Sequence, residues 1–198
     1  MTWQTEHSAQ SKASPAAVWR RYVDVEHWSE WSQKGVERSS LDGEFEEGTT
    51  GKSKAPGFPE GKFQLVTVEP EKRFVSQAKF PGGQLTFEHM IEPADGGSRI
   101  THRATLDGPL TFLWSQVIGR IIKRGMPEGV DRLAELAAEK QEEERKDAEE
   151  EKEREARLEK ADEQFKEEIE KTSQGEGDKG AASVPGAPTA EDADRSAR

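Results

Sequence analysis

The sequence predicts an α+β domain, in which an antiparallel sheet packs against a long C-terminal helix, followed by a charged tail. From Val36 to Leu106, short runs of period-two or mixed apolar character are separated by turns rich in Gly and Pro, which is typical of consecutive antiparallel strands. After Gly108-Pro109 the apolar residues recur at helical spacing. Beyond residue 138 acidic residues dominate, because residues 1–138 hold 17 basic and 19 acidic side chains, whereas residues 139–198 hold 12 and 21.

The composition confines the hydrophobic core to the first 138 of the 198 residues. This part holds all five Trp, the single Tyr and seven of the eight Phe, and its length is typical of one domain with a core of its own. We therefore predict three segments: a folded domain at residues 1–138, a charged helical extension at 139–172 and a disordered tail at 173–198.

Several function classes are disfavoured by what the sequence lacks. Without Cys, the chain has no thiolate metal site and no cysteine nucleophile, which suits a reducing compartment. The N-terminus has no basic start followed by an apolar run, and no apolar stretch approaches the ~18 residues of a membrane span. A near-neutral domain with an acidic tail also lacks the basic face that nucleic acids require. We expect a cytoplasmic protein with no nucleic-acid partner and no stable membrane insertion.

The N-terminal part predicts one strand and two short helices. Residues 2–13 suit an extended strand, and Ser14 is placed to cap a helix that begins with Pro15. Asp24 can cap a second short helix. The first strand and both short helices therefore precede the meander.

Two hairpins of the meander can be given a register. With Gly82-Gly83 as a two-residue turn, Ser76 faces His89 and Phe74 faces Ile91. With residues 94–97 as the next loop, opposite charges face each other, which supports this second register: Glu92 with Arg99 and Glu88 with Arg103. On the other face of this hairpin, which we predict to be buried, the pairs are Ile91 with Ile100, His89 with His102, Phe87 with Ala104 and Leu85 with Leu106.

The C-terminal half predicts a long helix that continues into a charged extension. Gly125 and Pro127 fall inside the apolar stripe of the long helix, and we expect a kink or break there because Pro removes a hydrogen bond. Residues 139–172 contain acid-to-base pairs four residues apart, each worth ~0.2–0.5 kcal/mol to a helix. The apolar stripe near the end of the extension is too short for the heptads of a coiled coil.

The chain resembles the START-like (SRPBCC) superfamily, and within it the polyketide cyclase/dehydrase-like branch. Four motifs carry the resemblance: Ala13-Ser14-Pro15-Ala16-Ala17-Val18-Trp19, Tyr22-Val23-Asp24-Val25-Glu26-His27-Trp28-Ser29-Glu30-Trp31, Arg99-Ile100-Thr101-His102-Arg103 before Gly108-Pro109-Leu110, and Gly125-Met126-Pro127 followed by Leu133-Ala134. The resemblance covers residues 1 to about 138 and implies the helix-grip fold, a seven-stranded sheet curled around the long helix. In relatives the cavity between them holds lipids, hormones, aromatic polyketides or other apolar molecules.

A row of histidines is the candidate polar site in this cavity. In the helix-grip order the first strand lies beside the last, so His102 has His89 on one side and the strand of His7 on the other. A few polar groups in an apolar pocket are typical of small-molecule sites. The predicted ligand-binding residues are Ser76, Phe74, Phe87, His89, Ile91, Ile100, His102 and Trp114.

The histidine row leaves three interpretations open. We favour binding of an apolar or aromatic small molecule, with His89 and His102 orienting it. The first alternative is a cyclase or dehydratase in which His89 or His102 moves a proton; no matched motif identifies a catalytic residue. A zinc site would need His7 to converge with both, and we predict neither a metal nor a cofactor, since no dinucleotide or phosphate-binding motif is present.

Other features have a functional and a plainer interpretation. Trp19, Trp28, Trp31 and Trp114 suit either an aromatic ligand wall or the core, and core is the commoner outcome at helical spacing. The loop at residues 55–61 is a connection or a gate. The basic patch of Arg120, Lys123 and Arg124 is a solvated helix face, or it meets an anionic partner. The acidic tail could dock a basic protein partner.

Overall fold

The computed structural model describes residues 1–32 and 34–175, the last four of them by backbone alone. The elements in chain order are β1 (Trp3–Ser11), α1 (Pro15–Val23), a 3-10 helix (Val25–Glu30), β2 (Arg38–Leu41), β3 (Thr50–Lys54), β4 (Gly61–Glu69), β5 (Arg73–Phe80), β6 (Gly83–Ala94), β7 (Gly97–Asp107), α2 (Thr111–Trp114), a π-helical turn (Ser115–Gly119) and α3 (Arg120–Gly175). The chain divides into two compact units, Met1–Asp147 and Ala148–Arg198.

The seven strands form one antiparallel sheet in the order β1-β7-β6-β5-β4-β3-β2. Strands that follow each other in sequence are neighbours from β2 to β7, and β1 closes the order by pairing with β7. The predicted helix-grip fold is confirmed: a seven-stranded sheet, two short helices after the first strand and a long C-terminal helix.

Local sequence signals explain how the first helices begin. The Ser14 hydroxyl accepts a hydrogen bond from the Ala17 amide, and Pro15 opens α1, so the predicted cap is confirmed. Asp24 stands at the N-cap position of the 3-10 helix, but its side chain accepts no backbone bond there. Its carboxylate instead bonds the His27 ring, Oδ1 to Nδ1, at 2.6 Å.

One hairpin register is confirmed and the other is shifted. In β6–β7 the pairs Ile91 with Ile100 and His89 with His102 are those predicted. In β5–β6 the turn is Pro81-Gly82, not Gly82-Gly83, so that Ser76 faces Phe87. Gly82 has φ +69, and Pro followed by a residue of positive φ suits a type II turn. Because the shift is two residues, every side chain keeps its predicted face.

The sequence predicts a kink or a break at Pro127, and of these the break is wrong. α3 runs through this residue, and the irregularity lies earlier, in the π-helical turn. Met126 and Val130, on either side of the proline, are buried in the core. Tertiary packing therefore holds the helix together across the missing hydrogen bond.

The core lies between the sheet and the buried face of α3. Its fully buried large side chains include Tyr22, Phe74, Leu65, Ile100, Leu106 and Leu133. α3 is also bound to the N-terminal segment, since the Ser11 hydroxyl donates to the Ala134 carbonyl at 2.6 Å. These contacts fix the part of α3 that faces the sheet.

The charged extension is helical in the part of the chain that the structure describes. Ion pairs form at the predicted four-residue spacing: Glu142 with Lys146, Glu153 with Arg157, Asp162 with Lys166 and Glu167 with Lys171. The predicted disordered tail at residues 173–198 lies outside the described residues, except that the backbone of 173–175 ends α3. Among the described helices, none is long and apolar enough to span a bilayer.

Candidate functional site

A cavity of about 320 Å³ lies between the sheet and the first turns of α3. The strands supply one wall, with Ser76, Ala78, Phe80, Leu85, Phe87, His89 and His102. The helical segment supplies Ile118, Ile121, Ile122, Gly125, Met126 and Gly129. The remaining lining comes from the end of β3, the β3–β4 connection, the start of β4 and the segment after α1: Ser53, Ala55, Phe58, Pro59, Gly61, Phe63, Trp28, Trp31, Ser32, Gly35 and Val36. The cavity is about twice the ~150 Å³ that accommodates benzene, so it suits a ligand of roughly two rings.

Four of the predicted ligand-binding residues line this cavity and four do not. Ser76, Phe87, His89 and His102 are part of its wall. Phe74, Ile91 and Ile100 are buried in the hydrophobic core instead. Trp114 packs its ring against Phe80, with the centroids 4.8 Å apart, and its indole N–H donates to the Pro81 carbonyl at 3.0 Å.

His102 is held by Tyr22 in a fully buried hydrogen bond. The Tyr22 hydroxyl and His102 Nε2 are 2.8 Å apart, and Tyr22 has no exposed surface. Burial lowers the pKa of His102 to about 3, with a smaller contribution from His7. Burial also raises the pKa of Tyr22 well above its usual value. Both partners are therefore neutral at neutral pH.

The His89 ring lies against the rings of Phe74 and His102. It stacks on Phe74 with centroids 4.1 Å apart, and it meets the His102 ring edge-on at 4.4 Å. Burial, and then the neighbouring His102, hold the pKa of His89 well below its usual value. His89 Nδ1 is buried without a hydrogen-bond partner among the described residues, which makes it the least satisfied polar atom of the histidine pair.

Trp28 and Trp31 both line the cavity but differ in their hydrogen bonds. The Trp28 indole N–H donates to the Tyr22 carbonyl at 2.9 Å. The Trp31 Nε1 atom is buried with no partner within the described part of the chain, and its ring lies 5.6 Å from that of His102. Trp31 therefore leaves an unused donor at the same end of the cavity as the histidines.

His7 does not join the histidine pair in the cavity wall. Its backbone pairs with that of His102, yet its ring Nε2 lies 3.2 Å from Asp131 Oδ1 on α3. Among the residues that the structure describes, no group of three His, Cys, Asp or Glu is arranged to hold a metal ion.

The cavity is electrically neutral. None of its lining residues, all of them within the described ranges, is Asp, Glu, Lys or Arg, and the pKa values of both histidines are lowered by burial. General acid–base catalysis works best when the pKa of the group is near the working pH. The pair is therefore better suited to hydrogen bonding than to proton transfer.

The sequence reasoning missed Tyr22 and the helical side of the cavity. Tyr22 is the only Tyr in the chain and lies at helical spacing with the apolar residues of α1, which places its hydroxyl in the core. A buried hydroxyl needs a hydrogen-bond partner, and this requirement could have indicated that Tyr22 binds a polar residue of the sheet. Ile121 and Ile122 belong to the apolar stripe predicted for the long helix, and Ile118 was not singled out; periodicity alone does not distinguish core from cavity lining.

The fold is shared with several solved structures. Norcoclaurine synthase from Thalictrum flavum, in complex with dopamine and hydroxybenzaldehyde, is 19% identical, with a TM-score of 0.55 over 70% of this chain and 88% of that one. The Zhui aromatase/cyclase from Streptomyces sp. R1128 is 10% identical, with a TM-score of 0.59 over 69% and 94%. A protein from Nitrosomonas europaea is 16% identical, with a TM-score of 0.54 over 69% and 95%. At these identities the similarity establishes the fold alone.

A match to a family model identifies the family of the chain, which the solved structures do not. A search of the curated proteins found no match. The model described as "Polyketide cyclase / dehydrase and lipid transport" matches residues 2–138, which include every strand, both short helices and the cavity-lining part of α3. The chain therefore belongs to the polyketide cyclase/dehydrase and lipid transport family.

Proposed function

We propose that this protein binds a neutral, apolar or aromatic small molecule in the cavity between the sheet and α3. The observation that carries the proposal is the charge-free lining, in which two buried histidines with lowered pKa values are the most polar residues. A charged ligand would be desolvated there without an opposite charge, which costs several kcal/mol. An uncharged ring system loses little on entry and gains about 25 cal/mol per Å² of buried apolar surface.

Two residues of the cavity lining, Trp31 and His89, each carry a buried polar atom without a partner among the described residues. Trp31 Nε1 is a donor only, and His89 Nδ1 accepts or donates according to its tautomer. A buried polar group without a partner costs about 1–3 kcal/mol. Both atoms are themselves buried, so a ligand oxygen would recover part of this cost only if the side chains around them moved to admit it. The solved norcoclaurine synthase complex holds aromatic molecules, which supports an aromatic ligand on this fold but not a neutral one, since the amine of dopamine is protonated at neutral pH.

Two fluorescent probes that differ by one charge test the proposal. N-phenyl-1-naphthylamine is neutral, and 8-anilino-1-naphthalenesulfonate carries the same rings with a sulfonate. We expect the neutral probe to bind at least about 100-fold more tightly, because the cavity offers the sulfonate no cation. Equal affinities, or a preference for the sulfonate, would refute a neutral site if they persist in Arg120→Gln/Lys123→Gln/Arg124→Gln. This variant removes the exposed basic patch as a second place for the sulfonate to bind.

A substitution inside the cavity locates the binding. Ser76→Trp fills the cavity from β5 and should abolish binding of N-phenyl-1-naphthylamine. Lys79→Trp is the matched control, since Lys79 is exposed on the opposite face of the same strand. If both variants bind the probe as well as the wild type does, the probe lies elsewhere. Native mass spectrometry of gently purified protein would then identify any ligand retained from the cell.

The enzyme alternative rests on the adjacency of His89 and His102, whose rings are 4.4 Å apart. An imidazole with a pKa of about 3 holds few protons at neutral pH and is a weak base. A cyclase or dehydratase would therefore need its substrate to raise these pKa values. Loss of turnover with retained binding in His89→Ala or His102→Ala would establish the enzyme, whereas loss of binding alone supports a carrier.

We also propose that the ligand-binding domain does not need the acidic extension. The predicted boundary at residue 138 would remove Gln141, whose side chain accepts hydrogen bonds from the Ser14 amide and hydroxyl. A truncation after Asp147 keeps these bonds and should leave probe affinity within about twofold of the full chain. A protein partner that is lost on this truncation would instead place an interaction function on the extension.

A further inference from the structure

An exposed apolar surface lies on the helical segment that closes the cavity. We call it the α2–α3 patch; it comprises Leu110, Phe112, Leu113, Val117 and Ile121. Phe112 is 72% exposed and Leu113 is 55% exposed. Single exposed apolar residues are ordinary, but a contiguous group within twelve residues of chain marks an interaction surface.

The α2–α3 patch is attached to the sheet through contacts with the β5–β6 turn. Leu110 packs on the β5–β6 turn, where a Cβ added to Gly82 would come within 2.6 Å of its side chain, and its amide donates to the Gly82 carbonyl at 3.0 Å. Trp114, between the exposed residues, is bonded to the same turn through Pro81. The neighbours of Phe112 and Leu113 are thus tied to the sheet while these two side chains point to solvent.

The patch segment itself carries charges of one sign, although Asp107 and Glu128 flank it in the sequence. Residues 108–127 contain Arg120, Lys123 and Arg124 and no acidic residue, in a chain that has 40 Asp and Glu. All three cations are exposed, and none has an ion-pair partner among residues 1–32 and 34–171. Arg120 and Arg124 are four residues apart, as are Leu113, Val117 and Ile121, so a basic row runs beside an apolar row.

The patch is continuous with the cavity. Ile118, Ile121 and Ile122 line the cavity, and Ile121 is also 39% exposed. An apolar molecule that reaches the patch therefore meets apolar side chains all the way into the binding site.

We propose that the α2–α3 patch docks this protein on the surface of a bilayer that contains anionic phospholipids. Phe and Leu beside Arg and Lys on a short helical segment are typical of interfacial binding, in which apolar side chains enter the headgroup region and cations meet lipid phosphates. The overall negative charge of the chain does not prevent this, because charges more than about 8 Å away are largely screened at physiological ionic strength.

The chain's own C-terminal segment is a poorer occupant of the patch. Residues 173–198 contain one Val as their only large aliphatic residue and no aromatic residue. They could neutralise the cations but would leave Phe112 and Leu113 without an apolar partner. A bilayer supplies both kinds of contact.

Sedimentation with vesicles tests the proposal on the full-length chain. Vesicles of phosphatidylcholine and phosphatidylserine, mixed about two to one, should bind the protein, and vesicles of phosphatidylcholine alone should bind it far less. Arg120→Gln/Lys123→Gln/Arg124→Gln should bind the mixed vesicles about 100-fold more weakly, because each cation at an anionic leaflet contributes about fivefold. Phe112→Ser/Leu113→Ser should lose at least about tenfold.

A matched variant controls for net charge. Lys152→Gln/Arg154→Gln/Arg157→Gln removes three exposed cations from the extension and should bind the mixed vesicles as the wild type does. Binding of N-phenyl-1-naphthylamine by each patch variant shows that it is folded, and this readout is independent of vesicles.

Four outcomes would overturn the proposal. The first is a wild type that binds both kinds of vesicle equally or not at all. The second is an equal loss in the control and the basic-patch variants. The third is a dimer that Phe112→Ser/Leu113→Ser converts to a monomer without any vesicle binding by the wild type. The fourth is vesicle binding only after truncation at Asp147, which would show that the tail covers the patch.

Discussion

His102 should make this protein sensitive to mild acid, and His102→Gln should reduce that sensitivity. The pKa of His102 is about 3 in the folded protein, against 6.5 for an unperturbed histidine. As the pH falls, the unfolded chain therefore binds a proton before the folded chain does. The stability that depends on a neutral His102 is fully present above pH 6.5 and is lost as the pH falls from 6.5 towards 3.

The size of the effect follows from the difference between the two pKa values. Each pH unit below 6.5 costs about 1.36 kcal/mol until the folded-state pKa is reached. Between about pH 7.5 and about pH 5, His102 alone should reduce the free energy of unfolding by about 2 kcal/mol. The lowered pKa of His89 acts in the same direction. Gln at position 102 keeps a hydrogen-bonding group for Tyr22 but does not titrate.

Urea unfolding followed by Trp fluorescence measures the effect, since all five Trp lie in residues 1–138. The quantity to compare is the change in unfolding free energy between the two pH values, so any constant cost of the substitution cancels. His102→Gln should reduce this change by about 2 kcal/mol. If the variant and the wild type lose the same stability in acid, the buried imidazole is not the source and the reasoning is wrong.

His27 provides a control of opposite sign. Its ring is exposed, and the hydrogen bond that it donates to the Asp24 carboxylate raises the pKa of His27 above its usual value. Its contribution is present below pH 6.5 and is lost as the pH rises through the raised pKa. His27→Gln should therefore make the protein more sensitive to acid, not less.

Three further substitutions test the local structure. Trp28→Phe removes an indole N–H that donates to a backbone carbonyl, whereas the indole N–H of Trp31 has no partner within the described residues. Trp28→Phe should therefore lower the free energy of unfolding by about 1–2 kcal/mol more than Trp31→Phe does. Equal losses in urea unfolding would contradict this. Gly97→Ala should cost more than about 2 kcal/mol, because Gly97 has φ +156 and an added Cβ would lie 2.1 Å from a β1 carbonyl oxygen. Gly96→Ala should cost only about 1 kcal/mol, because an added Cβ there meets nothing within 4 Å. The melting temperatures of the two variants show which is less stable. Ser14→Ala should cost about 1 kcal/mol through the lost α1 cap, and an unchanged urea midpoint would show that the cap contributes nothing.

The β6–β7 hairpin shows how much of the sheet was predictable. Opposite charges at Glu92 and Arg99 and at Glu88 and Arg103 identified the register, because cross-strand pairs interact directly. In β5–β6 no charge pair marked the register, and the choice between two adjacent Gly-containing turns was wrong by two residues. The histidine row still lies on the correct face, since a shift of two preserves the alternation.

At Pro127, in contrast to the β6–β7 hairpin, the local sequence predicted a break that the structure does not show. Proline disfavours helix locally, but the residues around it are buried against the sheet, and burial outweighs the lost hydrogen bond. The sequence carries the proline's local preference. It does not carry the packing that overrides that preference.

The strands and helices of the domain, the faces of its strands and its family could all be read from the chain, because these depend on local periodicity, caps and motif order. Which residues of the buried face line the cavity depends on three-dimensional packing. Phe87 and Ile100 lie on the same face of the sheet, yet Phe87 lines the cavity and Ile100 packs in the core. The difference depends on where the long helix crosses the sheet, and that crossing is the sum of contacts between residues far apart in the chain. The lowered pKa values of His89 and His102 have the same origin, since burial by distant segments, not the neighbouring sequence, removes these rings from water.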